Sequence, residues 1–388
     1  MSEWKLVTLG SVCFINPKES LAKGMIAKKV GMEYLQPFTK NPIGHDVEAY
    51  NGGTKFRNGD TLVARITPCL ENGKTCYISN LSNDEIAFGS TEYIVLREKP
   101  THTDKEFLYY FARSDLFRDV AIASMTGSSG RQRVQTDVVI NHEFNIPPLP
   151  EQKAIASVLS SLDDKIDLLH RQNKTLEAMA ETLFQQWFVE EAKEDWEEVK
   201  LKDYVAINKK SITKDYSCKE IQYLDTGSIT KGNISSLQTY SRTDSPSRAR
   251  RLVSDNDILI STVRPNQHHY GIVDNPPENL VVSTGFCTIT CEKISPYFIY
   301  IMLTTSEMTE YLHSIAEGST STYPSLKPED ISTLSFKYPN EMILTKFHKT
   351  SKSFWEKRNN NQKQIQTLEK LRDTLLPKLM SGEVRVQY

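Results

Sequence analysis

The sequence predicts an α+β protein: two similar domains joined by two long antiparallel coiled-coil helices, related by a pseudo-two-fold. Three observations predict it. Segments of the first 150 residues return at an offset of about 190, each copy mixes short β-rich runs with a helical pattern, and a long heptad-patterned stretch follows each copy.

Trp4-Lys5-Leu6 through Ile15-Asn16-Pro17 returns as Trp196-Glu197-Glu198 through Ile207-Asn208-Lys209. Gly59-Asp60-Thr61-Leu62-Val63 to Thr67-Pro68 returns as Asn256-Asp257-Ile258-Leu259-Ile260 to Arg264-Pro265. Ser90-Thr91-Glu92-Tyr93 matches Ser283-Thr284-Gly285-Phe286, and Gly127-Ser128 matches Gly318-Ser319. Solenoid periods run to roughly 20–50 residues, so this longer period marks a duplicated domain. Within the copies, strands are expected over 60–66, 93–96, 257–263 and 285–291. One helix is expected in each, over 105–120 and 296–315.

The stretches after the copies read as coiled-coil helices. Pro150-Glu151-Gln152 suits a helix start, with proline and acidic character in the first turn. Ile155, Leu159, Leu162, Ile166, Leu169, Leu176, Ala180, Leu183 and Trp187 then follow at spacings of three and four, with Asn173 as a polar interruption. A helix over 151–188 would be roughly 57 Å long at about 1.5 Å per residue. The second helix is expected over 341–376, with Phe347, Phe354, Ile365, Leu368 and Leu375 on its seam. Arg358, Asn361 and Arg372 interrupt that seam, and Pro377 should end or kink the helix. Residues 151–192 carry 4 basic and 8 acidic side chains, residues 340–380 carry 9 and 4, so the helices have opposite charge and should pair with each other. The residues expected to make that pairing are Leu162, Ile166, Leu169, Asn173, Leu176, Phe354, Asn361, Ile365 and Leu368. Asn173 and Asn361 lie near the helix midpoints and could meet in one polar layer that fixes register. The boundaries that follow are a first domain over 1–150, a first helix over 151–192, a second domain over 193–340, and a second helix with its tail over 341–388.

Composition narrows the function. Apolar and charged fractions are those of a globular chain, and no apolar run approaches the roughly 20 residues that span a bilayer. The six cysteines show no CxxC spacing and Met1-Ser2-Glu3-Trp4-Lys5 lacks a secretory pattern, so a cytoplasmic protein with reduced thiols and no membrane partner is expected. Cys287 and Cys291 stand close together, but no further ligand completes a metal site. There is no GxxxxGK[ST] loop, and Asn275-Pro276-Pro277 is followed by Glu278 rather than an aromatic, so it reads as a loop. No catalytic residue, metal or cofactor site is expected. A net charge of −2 means that any DNA contact must come from local patches.

Three loop groups supply such patches. The first is Gly127-Ser128-Ser129-Gly130-Arg131-Gln132-Arg133, mirrored by Gly318-Ser319-Thr320-Ser321-Thr322-Tyr323. Glycine and small hydroxyl residues admit a phosphate, and Arg or Gln can pair with base edges; Ser128, Ser129, Arg131, Gln132, Arg133, Ser319, Thr320 and Tyr323 are the candidates. The second group places Arg248, Arg250 and Arg251 after Arg242. The third is the turn that carries Arg65 and Lys74 in one copy and Arg264, Gln267, His268 and His269 in the other. Any one of these residues, taken singly, fits a solvated loop side chain better. Recurrence in both copies is what marks the groups.

The junction Ile146-Pro147-Pro148-Leu149-Pro150-Glu151-Gln152, the helix end Leu183-Phe184-Gln185-Gln186-Trp187-Phe188 and the C-terminal Leu371-Arg372-Asp373-Thr374-Leu375-Leu376-Pro377-Lys378-Leu379 carry a resemblance. So do Ser381-Gly382-Glu383-Val384-Arg385-Val386 and the opening at Trp196 to Leu201. On these residues the chain resembles the specificity subunits of type I restriction-modification systems along nearly its whole length. Phe336-Lys337-Tyr338-Pro339-Asn340-Glu341 departs from it as a degenerate second junction. The resemblance implies that each domain reads one half of a split double-stranded DNA site, and that the helices hold the domains apart and dock two methyltransferase subunits. It implies that those partners bind S-adenosylmethionine and methylate adenine, while a separate motor and nuclease subunit cuts unmodified DNA. The different class to weigh against this is a coiled-coil adaptor that serves assembly and has lost DNA reading.

Overall fold

The short β-rich runs of each copy close into the same pair of sheets. The computed structural model describes residues 3–319 and 323–387. The chain divides into two compact units, one running up to His170 and resuming at Gln362, the other comprising Arg171–Asn361. Each unit therefore contains one copy of the repeat and part of both long helices.

In the first unit an antiparallel sheet has the order Cys13–Ile15, Tyr93–Glu98, Thr61–Ala64, Thr75–Tyr77. The second unit repeats it as Val205–Ile207, Phe286–Cys291, Ile258–Ser261, Tyr270–Ile272. A second sheet runs Asp46–Ala49, Ile26–Val30, Ile86–Gly89, Thr54–Arg57, its central pair parallel. Its counterpart runs Gln238–Ser241, Glu220–Leu224, Leu280–Ser283, Ala249–Leu252, again with a parallel central pair, and adds Lys210–Ser211 at the edge. A two-stranded ribbon closes each copy, Lys5–Thr8 with Glu143–Ile146 and Glu198–Lys200 with Ser335–Lys337.

The duplication reaches single backbone angles. Asn16 and Asn208 both adopt left-handed φ, 47° and 52°, a conformation that Asn tolerates because its short amide can bond locally. Here each amide instead reaches a neighbouring strand distant in sequence: Asn16 Oδ1 accepts from Val95 N at 2.9 Å, and Asn208 Oδ1 accepts from Thr288 N at 3.1 Å. Asp60 accepts from Arg57 N at 2.8 Å as Asp257 accepts from Ser254 N at 2.7 Å. These side chains fix the turn into the strand that precedes each candidate site.

The single helix expected in each copy is instead two. Lys105–Arg113 ends at Ser114 and Asp115–Ala123 follows; Pro296–Thr304 ends at Thr305 and Ser306–Glu317 follows. The cause is local competition by hydroxyl side chains for backbone bonds. Ser114 Oγ donates to Phe111 O at 2.7 Å, and Thr305 Oγ1 accepts from Met308 N at 3.1 Å. Apolar periodicity continues across both breaks, which hides them from a pattern reading.

The long helices span Leu149–Gln185, followed by a π-turn at Gln186–Glu190, and Glu341–Ser381. Within the first unit Ile166, Leu169 and Ile365 are buried together with Leu368 against them. Within the second, Asn361 Nδ2 donates to Asn173 Oδ1 at 2.9 Å, so the two asparagines meet as expected. Contacts thus pair rising numbers on one helix with falling numbers on the other: the pairing is antiparallel. Leu162, Leu176 and Phe354 are half-buried, and beside Phe354 it is Trp355 that is buried. Leu376 rather than Leu375 takes the buried seam position.

Pro377 neither ends the second helix nor lies beyond it. It occupies the helix interior, and the helix continues to Ser381. Proline leaves the carbonyl four residues back without its donor. Here Leu376, Leu379 and Met380 are buried in the first unit's core, which holds the last turn helical at that cost. The junction motif also gains a physical role. Gln152 Nε2 donates to Pro147 O and His102 O, each at 2.9 Å, and its Oε1 accepts from Asp104 N at 3.0 Å. Fully buried Glu151 pairs with Arg385 at 2.6 Å. At the degenerate second junction, Asn340 Oδ1 instead accepts from Met342 N at 2.8 Å.

Candidate nucleic-acid interface

The loop after the strand Thr61–Ala64 is stitched to two neighbours by backbone hydrogen bonds, and the second unit repeats every stitch. Arg65 N donates to Glu92 O at 2.9 Å, Val134 N to Arg65 O at 2.9 Å, and Thr67 N to Gln132 O at 3.0 Å. The counterparts are Thr262 N to Gly285 O at 2.8 Å, Leu326 N to Thr262 O at 2.7 Å, and Arg264 N to Pro324 O at 3.0 Å. Two of the predicted loop groups therefore converge in each unit, although they are far apart in sequence. The stitches also align residues: Arg65 with Thr262, Thr67 with Arg264, Glu92 with Gly285, and Arg133 with Ser325.

In the first unit the joint is closed by charge. Arg133 Nη2 and Nε donate to the Glu92 carboxylate at 2.7 and 2.9 Å. That guanidinium holds the Glu92 carboxyl below its ordinary value. The loop before it is a narrow hairpin: Thr126 and Arg133 exchange backbone bonds of 3.0 and 2.9 Å, and Arg131 N turns back to Ser128 O at 2.9 Å. Ser128, Ser129 and Arg131 are exposed, Gln132 half-buried. Lys74 points inward, its ammonium donating to Met32 O at 2.8 Å. Arg65 is half-buried, and its Nε has no hydrogen-bond partner.

In the second unit the same joint is open. Gly285 and Ser325 replace the ion pair, and a cleft of about 690 Å³ lies there, lined by Thr226, Gly227, Arg248, Arg264, Gln267, His269 and Tyr323 among others. Arg264 and Gln267 are exposed, and the Arg264 guanidinium lies 4.6 Å over the Tyr323 ring. The turn Pro265–Gln267 is flanked by two non-glycine residues in left-handed conformation, Arg264 at φ 49° and His268 at φ 55°. His269 Nδ1 is 2.7 Å from Ile229 O, which can only accept, so Nδ1 carries a hydrogen and in the neutral ring Nε2 is an acceptor. Burial, reinforced by Lys231 and His269, holds the His268 imidazole below its ordinary value.

The arginine run is dispersed. Arg248 is exposed and reaches the cleft, whereas Arg242 donates to Thr213 O at 2.9 Å and Lys214 O at 3.2 Å. Arg250 Nε donates to Ser247 O at 3.2 Å, and Arg251 Nη1 to Ser211 Oγ at 3.4 Å. Half-buried Ser319 has its hydroxyl 3.4 Å from that of Ser325. Thr320 lies outside the described residues. Sequence reasoning missed Glu92, Thr226 and Gly227. Glu92 was visible inside the repeat match, but nothing local joins it to Arg133.

Among the described residues no helix is long and apolar enough to cross a membrane. Residues 1–178 match the family described as the type I restriction modification DNA specificity domain. The MjaIX specificity subunit of a type I restriction enzyme from Methanocaldococcus jannaschii is 28% identical over 306 residues, which cover 73% of this chain and 69% of that protein. The EcoAI specificity subunit from Escherichia coli is 31% identical over 208 residues, covering 50% of this chain and 35% of that protein. The crystal structure of a type I restriction-modification S subunit from M. genitalium matches with a TM-score of 0.59 at 17% identity, covering 97% of this chain and 96% of that chain, a likeness of fold.

Proposed function

Because the chain belongs, through residues 1–178, to the family of type I restriction modification DNA specificity domains, we propose that it reads a split, asymmetric DNA site, one half with each unit. The observation that carries this reading is the loop joint, built by the same three backbone stitches in both units and furnished with different side chains. A repeated frame presents a reading surface twice, and unlike side chains on it select unlike bases. The exposed Arg131 of the first joint and the exposed Arg248 and Arg264 of the second supply the local positive charge that a net charge of −2 does not.

In this reading the chain does no chemistry. Two methyltransferase subunits dock on the paired helices, bring S-adenosylmethionine and methylate adenine, and a motor and nuclease subunit cuts unmodified DNA. The helices act as the spacer between half-sites, with a gap of about half a turn to one turn of B-DNA, where a full turn is about 34–36 Å. Filter retention of labelled DNA by the chain together with its methyltransferase partner tests the reading. Retention should be selective for sequence and should weaken steeply with salt as phosphate contacts are screened. Retention indifferent to sequence would instead favour the assembly adaptor.

A further inference from the structure

The two joints are the same backbone with opposite contents. Where Glu92 and Arg133 neutralise each other in the first unit, Gly285 and Ser325 leave the second open, and Arg264 takes the place of the uncharged Thr67. Arg264 is exposed at the cleft, its backbone held in the left-handed region by the stitch to Pro324 O at 3.0 Å. Such a conformation is unfavourable for a residue with a Cβ and persists where the surroundings impose it. The Tyr323 ring beneath the guanidinium, at 4.6 Å, fixes the plane of its donor fork. On another wall His269 in its neutral form presents an acceptor at Nε2, because its Nδ1 hydrogen is committed to Ile229 O.

From this geometry we infer that Arg264 is the specificity-determining residue of the second unit and that it selects a guanine in the major groove. An oriented guanidinium offers two parallel N–H donors, which match the O6 and N7 acceptors of guanine. Adenine presents a donor, N6–H₂, in place of O6 and is rejected. Tyr323 is a positioning residue: it holds the fork and touches no base. Gln267, exposed on the same turn, is the alternative reader, and it would select adenine instead. The inference rests on the reading of the chain as a DNA-specificity subunit.

The test is enrichment of bound DNA from a randomised library by the full complex of the chain with its methyltransferase subunits. Wild-type complex should enrich a split site that contains a guanine in the half read by the second unit. Arg264→Ala should lower the preference for that guanine roughly 5- to 150-fold, the range of one good bidentate contact, and leave every other position unchanged. Tyr323→Leu should weaken the same position less. Because Arg264 and Tyr323 are exposed, both variants should melt as wild type does, which separates lost reading from lost folding. An unchanged motif with Arg264→Ala overturns the assignment, as does relaxation of an adenine with Gln267→Ala alone. Binding weakened uniformly across sequences, with the motif retained and the melting curve unchanged, would make Arg264 a phosphate contact and also overturn it. If the wild-type complex enriches no sequence, the underlying reading fails, an outcome distinct from all of these.

Discussion

Asp163 is 5% exposed, yet it accepts from Tyr110 Oη and Arg372 Nη1, each at 2.7 Å, and lies 3.7 Å from Arg113. Removing it would leave two buried guanidiniums with only the exposed Asp373 carboxylate beside them. Asp163→Ala should therefore destabilise the first unit by about 3–5 kcal/mol, the cost of breaking a buried pair. Lys209→Ala, which breaks an exposed pair with Glu292, should leave the stability close to that of wild type. Denaturant titration of both variants checks the contrast. The Glu92–Arg133 pair makes a prediction in pH. The native Glu92 pKa lies below its ordinary 4.5, so the unfolded chain takes up the proton first. The contribution of the pair is therefore complete above about pH 4.5 and is lost as pH falls through the depressed native value. Amide exchange across residues 126–133 should accelerate in that acid window beyond the intrinsic chemistry. In Glu92→Gln the acid step should vanish.

The paired helices show which elements a sequence exposes and which it hides. Their existence and meeting asparagines follow from heptad spacing, because a seam repeats its signal many times, and their opposite charge follows from composition. Their ends do not follow, because the buried Leu376, Leu379 and Met380 override the breaking tendency of Pro377. The helix breaks at Ser114 and Thr305 were illegible for a related reason: one hydroxyl decides them, while the apolar pattern runs on. The four strands expected near Thr61–Ala64, Tyr93–Glu98, Ile258–Ser261 and Phe286–Cys291 were legible as β-rich runs. Loop chemistry was not, since Glu92 meets Arg133, and Arg242 turns to the carbonyls of 213 and 214, only through long-range stitching. The asparagine layer yields a prediction at this scale. Asn361→Leu alone should cost about 1–3 kcal/mol, because it leaves buried Asn173 without its partner. Leucine at both positions should recover most of that loss or exceed wild type, at the expense of fixed register. A double-mutant cycle in urea measures the coupling.

On the proposed function, the duplication makes the whole molecule a split reader and the paired helices its ruler. Deleting one heptad from each long helix shortens each by roughly 10 Å, at about 1.5 Å per residue. With base pairs stacked about 3.4 Å apart, the unspecified gap should contract by about three base pairs while both half-sites keep their sequence. An unchanged gap would remove the ruler and leave the reading heads intact. The most direct measurement of the central claim is the enrichment profile of a randomised DNA library bound by the wild-type chain with its methyltransferase partner. Two dissimilar blocks of specified bases separated by an unspecified gap of fixed length are expected. A single contiguous block, two identical blocks, or no enrichment above background would contradict it.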